Sequence, residues 1–238
     1  MTQGSLFDGA GGMRIGFEQV GFETSWRVDL LNGNDIKKVS PSEFSKVDLI
    51  SGGPPCQRGS SLSSFAKNRT KITLWKEMLQ FITALRPRWV VVENVLGFLP
   101  EMVTEWTPQL QQLGYGCAGQ CISSRHWVPQ LRTRAFIVAR MEVFGVALWN
   151  HLYLNNFRGK VGANGHSSGK QSGKFFCSCS DCLRNGVSPR VPAWEFACLG
   201  AGNAVTVPLA RFLAERILTV EALIVSGKFV NKDVNRLF

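Results

Sequence analysis

The segment Asp48-Leu49-Ile50-Ser51-Gly52-Gly53-Pro54-Pro55-Cys56-Gln57 presents one thiol directly after two glycines and two prolines. Glycine lets backbone pass close to a ligand, and proline removes most of the freedom of the chain that carries the thiol. A cysteine held still at the end of a strand in this way has the setting of a nucleophile. A carboxyl, Glu93, ends the apolar run Trp89-Val90-Val91-Val92. It would lie beside the strand that carries Cys56, where apolar surroundings raise a carboxyl pKa and suit it to proton donation. In Gln130-Leu131-Arg132-Thr133-Arg134 two arginines occupy alternate positions. On an extended chain they point the same way and suit an oxygen-rich group; standing alone they would be an exposed edge.

A second group of residues suits a nucleotide-like ligand. Ser5-Leu6-Phe7-Asp8-Gly9-Ala10-Gly11-Gly12 is a strand running into a Gly-rich turn and then a helix. Such a turn lets a ligand approach backbone at the carboxyl end of a sheet, although alone it is equally a structural turn. Asp29 follows the next strand, where a carboxylate can accept hydrogen bonds from ribose hydroxyls. Asp35-Ile36 precedes a further strand and could face an adenine amino group. Out of context, either aspartate is a turn or cap residue.

The elements that must position these groups are short. Strands are expected to end at Leu6-Phe7 and to span Glu23 to Val28, Val47 to Ser51, Trp89 to Val92 and Ala135 to Ala139. Helical spacing of apolar residues covers Gly11 to Val20, Thr73 to Leu85, Glu101 to Leu113 and Val205 to Leu218. Strands alternating with helices argue for an α/β sheet with crossover helices. Between Asp29 and Asp35 there is no room for such a helix, so one face of the sheet there is expected to be exposed, with weaker cofactor binding.

The chain has 238 residues, 45% of them hydrophobic and 18% charged, as in a globular protein rather than a disordered one. Its 27 basic against 17 acidic residues give a net charge of +10, which favours polyanions, nucleic acid first. Half of that excess lies between Asn150 and Arg190, where Arg158, Lys160, Lys170, Lys174, Arg184 and Arg190 face a single acid, Asp181. This Gly-, Ser- and Lys-rich stretch suits phosphate contacts more than base reading. No apolar run approaches the roughly 18 residues of a membrane span, and the first residues do not read as a secretion signal. Seven cysteines, an odd number, fit a reducing cytoplasmic setting better than a disulfide framework. Cys177-Ser178-Cys179-Ser180-Asp181-Cys182 is denser than common structural zinc spacing and no metal is assigned to it. Cys117 and Cys121 fall in an expected strand and are assigned to the core.

Together these segments resemble the cytosine-5 DNA methyltransferase family, in that family's order, over about residues 4–140 and 191–218. Phe7 to Gly12 looks like its S-adenosyl-L-methionine motif, and Gly53-Pro54-Pro55-Cys56-Gln57 with Ser60 its nucleophile motif. Glu93-Asn94-Val95 resembles the acid motif, Gln130, Arg132 and Arg134 the Gln-x-Arg-x-Arg motif, and Gly202-Asn203-Ala204-Val205 the closing motif. The resemblance implies a Rossmann-like sheet of the class I methyltransferases. Its parts would be a catalytic domain over 1–140, a short irregular target-recognition region over 141–190, and a C-terminal segment, 191–238, returning to the catalytic domain. It implies attack of Cys56 at cytosine C6, with Glu93 at N3 and the exocyclic amine and Arg134 and Arg132 at O2. The methyl group then passes to C5 of a base flipped out of duplex DNA. Phe7 would stack on the cofactor adenine, Asp29 hold its ribose, and Asp35 and Ile36 frame the adenine. Gly9, Gly11, Gly12, Pro54, Asn203 and Val205 would line the rest of the cofactor site. Gln57, Ser60, Gln130, Arg158, Lys160, Lys170 and Lys174 would meet DNA.

The chain departs from the family in three places, one of them the missing helix between Asp29 and Asp35, for which the alternative is that one of these aspartates is wrongly assigned. The first motif usually opens on an acid, whereas here Ser5 stands there with Asp8 three positions on. The recognition region is short, so the expectation is a short target sequence or a partner, a specificity subunit or a restriction nuclease, acting with the chain. A bacterial or phage-borne enzyme of the host cytoplasm fits this pattern. Two other readings remain open. One is an RNA cytosine-5 methyltransferase, although the Cys-Phe-Thr tripeptide of that branch is absent. The other is a degenerate homologue that binds DNA or cofactor without turnover.

Overall fold

Side-chain alternation along the strands decides the layering. In β4 (Trp89–Val95), Trp89 and Val91 join one apolar layer while Val90 and Val92 join the other, so the strand is buried on both faces. A near-continuous apolar run is what a strand between two helical layers requires. The structure, a computed structural model, describes residues 1–55, 73–124, 127–128, 132–142 and 205–229.

Among the described residues six strands form one sheet: β1 (Thr2–Leu6), β2 (Glu23–Val28), β3 (Leu49–Gly52), β4, β5 (Tyr115–Ser123) and β6 (Thr133–Met141). Their spatial order is β2-β1-β3-β4-β6-β5. The first four run parallel, and β6 runs antiparallel to both β4 and β5. One face carries α1 (Gly12–Glu18) and α5 (Val207–Val225); the other carries α2 (Trp75–Leu85) and the helical run that follows β4. This is a Rossmann-like α/β sheet, with its topological switch point between β1 and β3, the place where open α/β sheets bind ligands.

Small residues set the approach of α1 to α5. A Cβ on Gly16 would lie 2.5 Å from Ala210 Cβ and 2.7 Å from the Val207 carbonyl oxygen, and one on Gly12 would collide with the Val205 carbonyl. The other end of α5 is fixed at the amino edge of the sheet. There Glu221 accepts from Trp89 Nε1 at 2.7 Å, Arg140 Nε at 2.9 Å and Arg88 Nη1 at 3.0 Å. Burial raises the Glu221 pKa, and these donors outweigh it, so that its carboxyl sits below its usual range.

Three elements differ from expectation. The helix expected over Glu101 to Leu113 is α3 (Leu99–Glu101), a π-helical turn (Met102–Trp106) and α4 (Thr107–Gln112). Pro108 has no N–H to continue an α-helical ladder. The wider turn buries Trp106, stacked on Trp75 with ring centroids 4.8 Å apart. The last helix runs on to Val225 rather than ending near Leu218. Cys121 is exposed rather than in the core, because β5 is an edge strand, and Cys117 on the same face is only half-buried.

No crossover α-helix joins β2 to β3, as the short spacing requires; two 3-10 turns, Leu30–Asn32 and Pro41–Glu43, stand there instead. The sheet is nevertheless covered at this point. The Trp26 indole lies over Gly4 of β1, where any Cβ would collide with it, and packs against Phe44 and Phe81 at centroid distances of 5.2 and 5.9 Å. Its Nε1 donates to the Ser45 carbonyl at 2.9 Å.

Gly16→Val forces α1 away from α5 and is expected to destabilise the fold by about 3 kcal/mol, the upper end of overpacking costs. Urea unfolding should show this as a lower midpoint at unchanged slope.

Candidate active site

Because β1 to β4 are parallel, their last residues, Leu6, Val28, Gly52 and Val95, share one edge of the sheet, and β6 begins there. The turn at Phe7 to Gly12, Asp29, the Gly53-Pro54-Pro55 segment, Glu93 and Arg134 therefore collect at that edge. They form two clusters.

The first cluster is centred on Glu93, which is 7% exposed. Arg134 Nε lies 3.0 Å from its Oε1. A Cβ on Gly53 would come within 2.9 Å of its Oε2, so a larger residue there would push the carboxylate from its place. Burial pushes the Glu93 carboxyl up to about 7, against the opposing pull of Arg134 and, behind it, Arg132. Arg132 is itself 8% exposed; burial, with Arg134 adding, brings its guanidinium down to about 10, so it stays charged at neutral pH. Asn94 supplies a tie that residue type alone did not assign. Its Nδ2 donates to the Pro54 carbonyl at 3.0 Å, and its Oδ1 accepts from Val95 N at 2.8 Å. The signal for this was an amide beside Glu93 at the end of the apolar run Trp89 to Val92; such a group has to find partners when buried. The end of β4 is thus fastened to the two prolines that lead to position 56.

The second cluster is the Gly-rich turn. Phe7, Gly9 and Gly11 all have left-handed backbone, with φ of 56°, 52° and 77°. For Phe7 this costs about 1–2 kcal/mol. Phe7 N donates to the Val28 carbonyl at 2.8 Å and Gly11 N to the Asp8 carbonyl at 2.7 Å. Around Gly9 the space is open: a Cβ there would meet only the Phe7 carbonyl, 4.0 Å away. Asp29 Oδ2 accepts from Gly9 N at 2.9 Å and its Oδ1 from Leu31 N at 2.8 Å. Asp35 Oδ1 accepts from Lys37 N at 3.1 Å, and Ile36 is buried in the layer beneath α2. Asp29 therefore caps the 3-10 turn Leu30–Asn32 and Asp35 closes a turn, and each carboxylate has lone pairs beyond these bonds. Val205 closes against Gly12.

The geometry thus joins Glu93, Arg132, Arg134 and Pro54 in one cluster. Phe7, Gly9 and Asp29 meet in the other, with Gly11, Gly12 and Val205 behind. Cys56, Gln57, Ser60, Gln130, Asn203, Arg158, Lys160, Lys170 and Lys174 lie outside the described residues, as do 143–204, which include Cys177, Cys179 and Cys182. Among the described residues no group of histidine, cysteine and carboxylate side chains could hold a metal ion, and no helix is long and apolar enough to cross a membrane.

Glu93 has a higher pKa folded than its ordinary 4.5, so the stability it contributes is fully present below about 4.5 and is lost as pH rises through about 7. The urea midpoint of the wild type should therefore fall relative to that of Glu93→Gln across this window. Arg134→Ala, by removing the charge that holds the pKa down, should shift the fall to higher pH.

Residues 1–147 match the family model described as C-5 cytosine-specific DNA methylase. The chain is 32% identical over 155 residues to the Type II methyltransferase M.FnuDI of Fusobacterium nucleatum, covering 56% of this chain and 45% of that one. It is 30% identical over 164 residues to M.HindV of Haemophilus influenzae, covering 58% and 52%. It therefore spans about half the length of these relatives. Among solved structures, the Dnmt2 methyltransferase of S. pombe superimposes with a TM-score of 0.49 at 19% identity, covering 63% of this chain and 54% of that one.

Proposed function

The chain belongs to the C-5 cytosine-specific DNA methylase family, and from that premise we propose that it methylates C5 of cytosine in DNA through a covalent bond between Cys56 and C6. The observation that carries this reading is Glu93. Its carboxyl has a pKa of about 7, is paired with Arg134, and lies against the glycine that opens the segment leading to Cys56. Cytosine C5 is a poor nucleophile because the ring is aromatic and electron-poor. Addition of the Cys56 thiolate to C6 makes an enamine-like ring with electron density on C5. A Glu93 carboxyl that is partly protonated at neutral pH donates to N3 as charge builds on the ring, and accepts from the exocyclic amine when ionised. Arg134 and Arg132 hold O2 by charge-assisted hydrogen bonds. Loss of the C5 proton then expels the Cys56 thiolate. The tie from Asn94 to the Pro54 carbonyl, beside Glu93, supports this reading.

S-adenosyl-L-methionine, when bound, supplies the electrophilic methyl group. The open backbone at Gly9 and the spare lone pairs of Asp29 fit its ribose and amino acid portions, and Phe7 lies beside them to cover the adenine. Duplex DNA hides C5 and C6 in the base stack, so the base must be flipped out at a cost of about a few kcal/mol. The basic excess between Asn150 and Arg190 supplies phosphate contacts for that complex.

The test is transfer of labelled methyl from S-adenosyl-L-methionine to mixed-sequence duplex DNA, followed by base analysis. Label is expected in 5-methylcytosine, absent with Cys56→Ala and reduced about 10²–10³-fold with Arg134→Ala, as for loss of one charge-stabilising donor. Label entering tRNA and not DNA would move the reading to an RNA enzyme. Cofactor and DNA binding without any transfer would leave a binding protein. DNA affinity should fall steeply with salt, and a flat dependence would remove the phosphate contacts assigned to the basic stretch.

A further inference from the structure

The carboxylate of Asp8 has no part in the chemistry above, yet its side chain is only 3% exposed at the centre of the Gly-rich turn. Ser5 Oγ donates to its Oδ1 at 2.7 Å and Arg14 Nε to its Oδ2 at 3.0 Å, with Arg27 Nη1 4.0 Å away. The Arg14 guanidinium lies across Gly11, where a Cβ would come within 2.5 Å of Nη2. From Arg14 the chain of contacts continues. Its Nη1 donates to Glu18 at 3.0 Å, Thr24 Oγ1 donates to Glu18 at 2.6 Å, and Gln3 Nε2 donates to Thr24 Oγ1 at 3.0 Å. One polar line therefore runs from the turn along α1 to β2 and back to β1. Burial pulls the Arg14 pKa down, but the hydrogen bonds to Asp8 and Glu18 outweigh it and raise it, so this cation stays charged at any working pH.

The backbone that this line grips is the costly part of the turn. Phe7, Gly9 and Gly11 are left-handed on either side of Asp8 and Ala10, and Phe7 pays a steric penalty that neighbouring contacts must offset. The Asp8 carbonyl accepts from Gly11 N, and the Asp8 side chain is tied to the strand before the turn through Ser5 and to the helix after it through Arg14. We propose that Asp8 is a positioning residue for the cofactor: acting through Ser5 and Arg14, it holds the turn in the conformation that binds S-adenosyl-L-methionine. It does so without touching the cofactor itself. The proposal rests on the cofactor reading given above.

The experiment is calorimetric titration of the full chain with S-adenosyl-L-methionine, alongside thermal unfolding of each variant. Asp8→Asn keeps the acceptor for Ser5 but sets an amide N–H against Arg14 Nε. Loss of one charge-assisted bond is expected to weaken cofactor binding about tenfold or more. Arg14→Gln added to Asp8→Asn places a side-chain oxygen where Arg14 Nε stood, so an uncharged bond can re-form, and most of the affinity should return. A merely structural loss would not be repaired in this way, because Arg14→Gln also removes the contact to Glu18 and lowers the unfolding temperature further. Wild-type affinity in Asp8→Asn would overturn the proposal. So would a double variant as weak as the single one, since Asp8 would then act on the ligand directly. If Asp8→Asn does not fold, Ser5→Ala decides: weaker binding supports the proposal and unchanged binding overturns it. A wild-type chain that binds no S-adenosyl-L-methionine would instead remove the cofactor reading on which the proposal stands.

Discussion

Burial and two guanidinium groups pull on the Glu93 carboxyl in opposite directions, and the balance leaves its proton affinity near neutrality. That balance depends on sheet order. β4 lies between β3 and β6, so Glu93 is dehydrated by strands on both sides, while the antiparallel β6 starts at the same edge and delivers Arg134 beside it. With β6 parallel, Arg134 would begin at the far edge of the sheet. The absence of a side chain at Gly53 completes the arrangement, since it lets the neighbouring backbone lie against the carboxylate in place of water. A more exposed Glu93 would be ionised at neutral pH and unable to donate; one without Arg134 would hold its proton too tightly to exchange it.

The two halves of the edge are built by different physics. Around Glu93, dehydration sets the chemistry and few hydrogen bonds are needed. Around the Gly-rich turn the backbone is partly open to solvent, and order comes from carboxylates that accept donors from several directions, Asp29 from Gly9 and Leu31 and Asp8 from Ser5 and Arg14. The first half offers a buried carboxyl that can gain and lose a proton near neutrality, and the second a partly open backbone with carboxylate acceptors.

Much of this was legible in the residues. Periodicity gave the strands and most helices, because apolar runs such as Trp89 to Val92 have no other stable use. The clustering of Glu93, Arg134 and the proline segment followed from where those motifs fall at strand ends. What was hidden were features set by tertiary contact. The π-helical turn at Met102–Trp106 reflects Pro108 and the stacking of Trp106 on Trp75, and no spacing rule registers a partner about thirty residues earlier. The part played by Asn94 depends on Pro54, which lies on another strand's continuation. The exposure of Cys121 depends on β5 being an edge, which is a property of the sheet and not of the strand.

The aromatic cover that stands where a crossover helix is missing has a consequence for the Gly-rich side of the edge. Asp29 follows β2 directly, and among the described residues β2 pairs with β1 alone. A strand paired on one side opens locally more readily than one in the middle of a sheet. Trp26, wedged between Gly4, Phe44 and Phe81, is what resists that opening. The strand that leads to Asp29 is therefore held in part by rings far apart in sequence, while Asp29 itself is held by Gly9 N and Leu31 N. Amide exchange along Glu23–Val28 would report how firmly the Gly-rich half of the edge is held, separately from the rest of the sheet.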